Sequence, residues 1–531
     1  MEKIVSLCKR RGFIFQSSEI YGGINGFWDY GPLGAELKRN LREAWWNAMT
    51  RDREDVVGLD ASIIMHPAIW KASGHVDTFA DQMLDCKTCK GRFRADHIAA
   101  IPCPQKPSKT VANCAGEKTE PRAFNLMFKS HYGPIESDEN LAYLRPETAQ
   151  AIFVQFKNVF DSSRVKIPFG IGQIGKAFRN EITPRNYTFR SREFEQMELE
   201  FFIPPNEAIR LRHGSVARWS ESADLSAPQP NWGWEMWHRY WVAQRTESYH
   251  RIGLSADVLD YHWQKKEELA HYAQATVDIL FKFPFGTEEL EGIAARGDFD
   301  LTQHQKHSGK SLEIFDDELR GAAAKLSDEQ KRNFISEVQE DWNDRNKSRE
   351  EAKIFCEKLL RGVYLPHVIE PSAGLDRLTL AIICAGYREE EKTDVNGKVE
   401  QRIVMRFHPR IAPIKVGIFP LLKNKPELVA KAREVFNSLK SHFNCFYDES
   451  GAIGRRYARQ DEIGTPFCVT IDFETLGDSA LPNEQKDSSH HEIRNRGAEL
   501  PGTVTLRERD TAQQTRIKIE DLLSLLLEKI R

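Results

Sequence analysis

The segment from Arg190 to Glu200 alternates in side-chain character with a period of two, and it constrains the fold more than any other stretch. Such alternation is typical of a β-strand, in which successive side chains point to opposite faces. Met197, Leu199 and Phe201 then share one face. The other face carries Arg190, Arg192, Phe194, Gln196, Glu198 and Glu200. Residues 166–203 around it are typical of a strand, loop and strand, and therefore predict a hairpin.

The polar face presents guanidinium groups, an aromatic ring and then carboxylates, in that order. Guanidinium forks suit phosphate oxygens, and a carboxylate suits an ammonium group. Phe194 and Glu198 are four residues apart, about 13 Å at the usual strand rise. That distance is close to the span from the adenine ring to the amino end of an aminoacyl-adenylate. The alternative is a charged, solvent-facing side of an antiparallel sheet, and the segment lengths do not decide between the two.

The remaining sequence divides into regions of different composition. With 531 residues, three to four domains are expected. Residues 86–120 are rich in Cys, Lys and Pro and poor in large apolar residues, which predicts a small insertion. Helical patterns dominate 204–365, as in Lys265–Phe281 and Asp328–Arg345. After Pro409, strands alternate with helices, the last over about Gln513–Lys529, which predicts an α/β domain of about 120 residues. The polar stretch 477–502 is predicted to be a mobile loop.

Four cysteines fall within the 86–120 insertion. Cys86 and Cys89 form a C-x-x-C half-site, whereas Cys103 and Cys114 are separated by ten residues. Four thiolates would suit a structural zinc ion, from which a segment with little core would gain stability. The wide second spacing leaves open the alternative of reduced cysteines in a loop-rich insertion.

Composition excludes several classes of protein. The odd count of nine cysteines argues against a disulfide framework and favours a reducing compartment such as the cytoplasm. No run of about 18 apolar residues is present, so no membrane association is expected. The net charge of −3 does not exclude a nucleic-acid partner, because a local basic cluster can bind one. Arg455, Arg456 and Arg459 form such a cluster, although a solvated helix face is the commoner explanation.

Longer motifs make a family resemblance specific. Phe178-Arg-Asn-Glu181, a loop and Arg190-x-x-x-Phe194 resemble motif 2 of the class II aminoacyl-tRNA synthetases. Glu370-Pro-Ser-Ala-Gly-Leu-Asp-Arg377 resembles motif 3, and the predicted helix 34–49 stands where motif 1 would be. Together with Arg145-Pro-Glu-Thr-Ala-Gln150 and Gly454-Arg-Arg-Tyr-Ala-Arg459, they are similar to the homodimeric glycyl-tRNA synthetase family over nearly the whole chain.

The resemblance implies an α+β fold: an antiparallel sheet flanked by helices, with insertions and a C-terminal α/β anticodon-binding domain. The implied divisions are 1–85 with motif 1, the insertion 86–120, 121–203 with motif 2, a helical insertion 204–285, 286–411 with motif 3, and the anticodon-binding domain 412–531. The implied reaction is glycine activation with ATP, followed by transfer of glycine to the 3′ end of tRNA(Gly). A homodimer is implied as well.

The resemblance also implies roles for individual residues. Arg179, Glu181 and Arg377 would be catalytic. The implied ATP-binding residues are Arg179, Asn180, Glu181, Phe189, Arg190, Arg192, Phe194, Glu289, Leu290, Gly374, Asp376 and Arg377, and a carboxylate near Glu289 would hold Mg²⁺. The implied glycine-binding residues are Arg94, Glu147, Phe194, Glu195, Gln196, Met197, Glu198, Glu370, Pro371, Ser372, Ala373 and Gly374. Arg455, Arg456 and Arg459 would contact tRNA.

Two other classes of protein share this fold. A catalytically silent accessory subunit would be expected to lose Arg179, Phe194, Arg377 or Glu147, and all four are present. A relative that only adenylates a small amino acid would be expected to lack the C-terminal domain. Both alternatives are therefore disfavoured by residues that are visible in the sequence.

Overall fold

The structure is a computed structural model that describes residues 1–270, 272–344, 348–393, 399–477 and 501–530. Residues 478–500 of the predicted 477–502 loop therefore lie outside the described residues. No helix within these ranges has both the length and the apolar content that a membrane crossing requires.

The helices cluster in sequence around the motifs and in the stretches 204–251 and 299–360. They are α1 (Glu2–Arg11), α2 (Pro32–Trp46), α3 (Pro67–Ala72), α4 (His75–Thr78), α5 (Ala149–Ser163), α6 (Asn206–His213), α7 (Trp234–His250), α8 (Phe299–Ser308), α9 (Asp317–Ala324), α10 (Asp328–Asp344), α11 (Arg349–Leu360), α12 (Leu375–Gly386), α13 (Pro426–Lys440), α14 (Ile453–Ile463), α15 (Phe473–Leu476) and α16 (Ile519–Ile530).

The strands form one large sheet, one C-terminal sheet and several small ones. They are β1 (Ile14–Gln16), β2 (Trp28–Tyr30), β3 (Val56–Gly58), β4 (Ala80–Asp85), β5 (Arg92–Arg94), β6 (Pro102–Cys103), β7 (Lys106–Thr110), β8 (Arg122–Asn125), β9 (Lys129–His131), β10 (Leu141–Tyr143), β11 (Phe169–Phe178), β12 (Glu193–Ile203), β13 (Leu259–Trp263), β14 (Ala275–Phe283), β15 (Gly286–Gly297), β16 (Ile314–Phe315), β17 (Val363–Tyr364), β18 (His367–Gly374), β19 (Tyr387–Thr393), β20 (Val399–Met405), β21 (Val416–Pro420), β22 (Cys445–Tyr447), β23 (Phe467–Ile471), β24 (Thr503–Glu508) and β25 (Gln514–Lys518).

The large sheet has seven strands in the order β13-β14-β15-β18-β12-β11-β3. Every neighbouring pair in it is antiparallel except β11 and β3 at one edge. The predicted hairpin is confirmed as β11 and β12, and the motif 3 segment becomes β18 followed by α12. The α+β fold with a mostly antiparallel sheet is thus confirmed.

Two hydrophobic cores cover the two faces of this sheet. The side chains of Met197, Leu199 and Phe201 join α2, α7 and α12 in one core. Phe169 and Phe202 join α5 and the helices α8 to α11 in the other. Alternation along β12 therefore separates two packing layers, because each layer receives every second side chain.

Helix α2 confirms the predicted motif 1 helix and is placed by a close backbone contact. It begins with Pro32, whose fixed φ suits the first turn and which has no N–H to leave unpaired. A Cβ on Gly34 would lie 1.8 Å from the carbonyl oxygen of Phe13, so only glycine fits there. The helix then lies across the start of α12 and beside the motif 2 strand.

The C-terminal region folds around its own core. Its five strands run in the order β22-β21-β23-β24-β25, parallel among the first three and antiparallel in the rest. Helices α13 and α16 pack on this sheet through residues such as Leu428, Val435, Leu522 and Leu526. This arrangement confirms the predicted α/β domain with a mixed sheet.

Three predictions made from the sequence need correction. The 204–285 segment is helical only in its first half, because β13 and β14 are the edge strand of the large sheet and its neighbour, so Lys265–Phe281 is not a helix. The last helix begins at Ile519, since 514–518 pair with β24 as β25. The 86–120 insertion has a small apolar cluster of its own, formed by Leu84, Cys86, Phe93 and Val111.

Candidate active site

A pocket opens where the motif 2 hairpin meets the β18–α12 junction and β15. The side chains that line it are Arg179, Glu181, Thr188, Phe189, Arg190, Ser191, Phe194, Glu195, Gln196, Glu289, Ser372, Gly374, Asp376 and Arg377. All of these except Thr188 and Ser191 were singled out from the sequence. The structure therefore brings together residues that are almost 200 positions apart in the chain.

Cations and aromatic rings alternate along one side of the pocket. The Arg179 guanidinium lies 5.4 Å from the ring centroid of Phe194, and its Nε donates to the carbonyl oxygen of Pro146 at 3.0 Å. The Arg377 guanidinium lies 4.6 Å from the Phe189 ring centroid, and its Nη1 is 3.3 Å from Glu289 Oε2. These contacts hold both guanidinium groups at the pocket wall, where they can bind an anion.

The sheet supplies the floor of the pocket as rows of residues on neighbouring strands. One row contains Gly175, Gln196 and Gly374, and the next contains Gln173, Glu198, Ser372 and Gly292. Because these glycines have no side chains, the floor stays open above the polar residues. A Cβ on Gly175 would lie 2.1 Å from Arg145 Nη2, so any larger residue would displace that arginine.

Glu198 supplies the carboxylate of the second row, and several hydrogen-bond donors surround it. It accepts hydrogen bonds from Ser372 Oγ at 2.8 Å, from Gln196 Nε2 at 2.9 Å and from the backbone N–H of Thr148 at 3.0 Å. The Thr148 hydroxyl donates to it as well. Burial and the charge of Glu147 raise the pKa of Glu198, against the effect of these donors. Its carboxylate is thus fixed in orientation before any ligand binds.

A cluster of buried charges lies beside Glu198. Glu147 is 3.3 Å from His75 Nε2 and accepts from Gln150 at 3.1 Å. Burial opposes its ionisation, but the charges of His75, Arg296 and Arg179 outweigh that effect and lower the pKa of Glu147.

The neighbouring carboxyl in this cluster behaves differently. Arg296 Nη1 donates to Glu370 at 2.7 Å, while burial raises the pKa of Glu370 to about 8. The cluster therefore contains one carboxyl that ionises easily and one that does so reluctantly.

A second buried network joins α2 to the pocket. Lys38 Nζ lies 2.8 Å from Glu195 Oε2 and 2.8 Å from Asp376 Oδ1, and Tyr30 donates to the same Asp376 oxygen at 2.6 Å. Arg42 completes the pairing of Glu195 at 2.9 Å. The Glu195 and Asp376 carboxylates are thus paired with protein groups, so they shape the pocket wall through this network.

The structure places several other predicted residues away from the pocket surface. The side chains of Met197, Leu290 and Ala373 lie in the hydrophobic core, and Pro371 is buried in the same strand as Ala373. These four residues can therefore contact a ligand only through their backbone atoms.

Three polar residues from the predicted set are bonded elsewhere. Arg94 pairs with Asp81 and Asp96, and Arg192 donates to the carbonyl oxygens of Asn25 and Glu181. The Asn180 backbone donates to the carbonyl oxygen of Leu126 at 2.7 Å.

Several residues of these networks, Tyr30 and Arg42 among them, were missed by sequence reasoning. Thr148 lies inside the Arg145–Gln150 motif, and Arg296 is the one cation in the apolar second half of β15. His75 and Lys38 come from segments that offered no comparable signal, because an isolated histidine or a lysine in an amphipathic helix is usual in any globular protein.

The arginines of α14 have three different environments. Arg456 is buried, and it donates to the carbonyl oxygens of Pro420, Glu449 and Gly451. Arg459 pairs with Asp448 and donates to the Ser450 carbonyl oxygen. Arg455 is exposed. Only part of this cluster is therefore available to a partner.

The four cysteines of the insertion form two close pairs. Cys103 and Cys114 have their sulfur atoms 3.4 Å apart, and hydrogen bonding from Cys89 lowers the pKa of Cys86. Across the described residues, no group of three or more His, Cys, Asp or Glu side chains is disposed to hold a metal ion. The predicted zinc site gains no support from this arrangement.

Comparison with known proteins agrees with the geometry. A family model described as "Anticodon binding domain" matches residues 415–529. The glycine–tRNA ligase of Treponema denticola is 44% identical over 532 aligned residues, which cover 100% of this chain and 97% of that protein.

Two further relatives carry the same name. The glycine–tRNA ligases of Rhodopirellula baltica and Thermobifida fusca are 42% and 43% identical, and the alignments cover 100% of this chain and 99% and 98% of those proteins. Similarity of this level over the full chain, together with the motif 2 and motif 3 elements of the pocket, shows that the chain belongs to the glycine–tRNA ligase family.

Proposed function

We propose that this chain activates glycine with ATP, forming glycyl-adenylate and pyrophosphate, and then transfers glycine to the 3′-terminal ribose of tRNA(Gly). One observation supports this most directly. The polar face of β12 carries Phe194 at the guanidinium-rich part of the pocket and Glu198 one row beyond Gln196, so one strand spans both ends of an adenylate.

Arg179 would bind the α-phosphate and stabilise the charge that develops when the glycine carboxylate attacks phosphorus. Preorganised charges of this kind cost little reorganisation during the reaction. Arg190 and Arg377 would hold the outer phosphates, so that pyrophosphate leaves in line with the attacking oxygen. Phe194 would cover one face of the adenine ring.

Glu198 would accept the glycine ammonium, helped by Glu147 and Glu370. Glycine offers no side chain to grip, so selection must come from the ammonium group and from exclusion of larger residues. Ser372 Oγ donates to Glu198 at 2.8 Å, and its role would be to orient that carboxylate. In the second step, a ribose hydroxyl would attack the glycyl carbonyl carbon, and AMP would leave.

Magnesium fits one wall of the pocket. Glu289 is a half-exposed carboxylate beside Arg377, and hard cations that bridge phosphates prefer such oxygen ligands. Glu289 would hold the ion, which would neutralise charge on the phosphates when ATP is bound. The neighbouring Arg377 Nη1 also donates to the Glu289 carbonyl oxygen at 3.2 Å and so holds this part of β15 against the start of α12.

The C-terminal domain would bind the anticodon arm, with Arg455 as the exposed cation of α14. The active form would be a homodimer in the cytoplasm with α2 at or near its interface, as the family resemblance implies. Sedimentation of the purified protein tests the dimer directly, since a monomer that retains full charging activity would contradict it.

Pyrophosphate exchange with a panel of amino acids tests the proposal. We expect exchange that depends on glycine and not on alanine or serine, followed by charging of tRNA(Gly). Absence of exchange with every amino acid would favour a silent accessory subunit. Exchange without tRNA charging would favour a tRNA-independent adenylating enzyme.

A further inference from the structure

Glu200 occupies the row of the sheet directly beneath the proposed glycine site. Its partner on β11 is Ile171. The register that pairs Glu198 with Ser372 and Phe201 with Ile369 places Glu200 opposite Glu370 on β18. Residues directly opposite on neighbouring strands have Cβ atoms about 5 Å apart. The carboxyl groups of Glu200 and Glu370 therefore lie side by side on the face of the sheet that also carries Glu198.

The Glu200 side chain is enclosed within the sheet and the helices that cover it. It is 0% exposed, and the apolar layer that includes Phe202 and Val368 begins in the next row. Neither Oε1 nor Oε2 of Glu200 has a hydrogen-bond partner among the residues that the structure describes. An ionised carboxylate in such a place would be costly, so a group of this kind takes up a proton instead.

The charges around Glu200 do not offer it a free counter-ion. Glu198 lies on its own strand, Glu370 on β18, Arg296 on β15 and Asp300 on α8. Arg296 is the cation of this group, and all three of its guanidinium nitrogens already donate. Nε and Nη2 bind Asp300 at 2.9 and 3.1 Å, and Nη1 binds Glu370 at 2.7 Å.

We propose that Glu200 is a positioning residue of the glycine pocket: it keeps a proton in the folded protein, and as a neutral acid it leaves Arg296 bound to Glu370 and Asp300. Burial and the charge of Glu370 raise the pKa of Glu200 well above its ordinary value, in agreement with the geometry. Glu370 differs from Glu200 because Arg296 Nη1 donates to it at 2.7 Å, a contact that favours its ionised form.

This inference rests on the proposed function, because it assigns Glu200 to the support of the glycine site. An ionised Glu200 would compete for the Arg296 guanidinium and draw it away from Glu370. Ionisation of Glu200 would therefore weaken glycine binding and leave ATP binding unchanged, since the guanidinium-rich part of the pocket at Phe194 lies two rows beyond Glu198.

Infrared spectroscopy of the full-length protein tests the protonation directly. At a pH of about 6, which is above the ordinary glutamate pKa of about 4.3, the wild-type spectrum minus the Glu200→Gln spectrum should contain the carbonyl band of a protonated carboxyl group. Glu200→Leu provides a second subtraction should Glu200→Gln fold poorly. A difference spectrum that shows only an ionised carboxylate would overturn the proposal, whatever the enzyme's activity.

Glycine-dependent pyrophosphate exchange provides the functional test, with Glu198→Gln as the matched variant two residues away on the same face. Glutamine resembles the neutral acid, so Glu200→Gln should change the glycine KM by less than about threefold. Glu198→Gln removes a charge-assisted contact and should raise the same KM by at least about tenfold. Equal increases in both variants would mean that Glu200 is ionised and would overturn the proposal. Loss of glycine dependence in the wild type itself would instead contradict the proposed function.

Discussion

At the glycine end of the pocket, Glu198 accepts from Thr148, Gln196 and Ser372 while it also faces the proposed ammonium site. Glu198→Gln should raise the glycine KM about 10- to 100-fold, because a hydrogen bond to a charged group contributes about 1.5–3 kcal/mol. The ATP KM should change little. Ser372→Ala should raise the glycine KM only about fivefold, because one neutral hydrogen bond contributes about 1 kcal/mol. Pyrophosphate exchange at varied glycine and ATP concentrations measures both, and unchanged glycine dependence in Glu198→Gln would place the ammonium site elsewhere.

At the ATP end, Arg179 is held by the Pro146 carbonyl oxygen and lies beside the Phe194 ring. Arg179→Ala should lower the rate of pyrophosphate exchange about 100- to 1,000-fold, as is typical when one preorganised group at a reacting centre is removed. The fold should persist, because Arg179 is only partly buried and its Nε donates to a single backbone oxygen. Near-normal exchange by a folded Arg179→Ala variant would refute this role.

At the scale of single elements, α14 combines a structural arginine with an exposed one. Arg456→Ala leaves three carbonyl oxygens without their donor, and it should lower the free energy of unfolding by about 1–3 kcal/mol. Arg455→Ala should leave stability unchanged but weaken tRNA charging, with a smaller loss at low salt. Thermal unfolding and charging assays at two salt concentrations separate the two effects. Equal destabilisation by both variants would contradict this division.

Helix α2 carries the buried Lys38, which pairs with Glu195 and Asp376 in the pocket wall. Lys38→Met would leave the buried Asp376 without its cation and Glu195 paired with Arg42 alone, and breaking a buried pair in this way typically costs about 3–5 kcal/mol. We expect a lower unfolding temperature and a raised ATP KM, with partial recovery in Lys38→Arg. Arg39→Met changes an exposed cation on the same helix and serves as the control. An unchanged ATP KM in a folded Lys38→Met variant would separate α2 from the ATP site.

For the whole molecule, the buried acids of the glycine pocket link stability to pH. Burial raises the pKa of Glu370 to about 8 and that of Glu200 well above the ordinary range. At a pH below about 4.3, the pKa of a glutamate in the unfolded chain, the folded and the unfolded protein both carry the proton and stability is not affected. As pH rises toward the folded value, the folded protein retains a proton that the unfolded chain has lost, so its stability falls by up to about 1.4 kcal/mol per pH unit for each group.

Glu200→Gln removes one such group. The free energy of unfolding of the Glu200→Gln variant, minus that of the wild type, should therefore increase between about pH 5 and pH 8, as measured by denaturant unfolding. Glu193→Gln, at the more exposed start of the same strand, should show no such trend. A difference between Glu200→Gln and wild type that does not vary with pH would mean that Glu200 is ionised in the folded protein.

The catalytic and C-terminal parts are joined through charged contacts at the end of α14. Asp461 accepts from Arg402 at 3.1 Å and from Arg507 at 2.8 Å, and Glu462 pairs with Arg10 at 2.7 Å and with Arg11. The helix that carries Arg455 is thus bonded both to α1 and to β20. These contacts fix the orientation of the proposed anticodon-binding surface relative to the pocket.

The sequence by itself determined the elements whose pattern is local. Period-two alternation identified β12 and its polar face, and local sequence pattern also identified the helices α2 and α10. The motif strings identified most of the pocket lining, since residues such as Arg179 and Phe194 lie close together in the sequence as well as in the fold. Alternation also separated Glu198 from Met197, which the structure confirms as neighbours on opposite faces.

Only the tertiary structure decided which charges meet. Lys38, His75 and Arg296 contact the pocket residues across 72 to 338 positions of sequence, and no local pattern records such a pairing. The same reason explains why β13 and β14 were taken for helix, because these strands gain their hydrogen bonds by pairing with other strands of the large sheet. Burial of Arg456, and the absence of a partner for Glu200 among the described residues, are likewise properties of the packed molecule, since a residue's surroundings depend on every element that covers it.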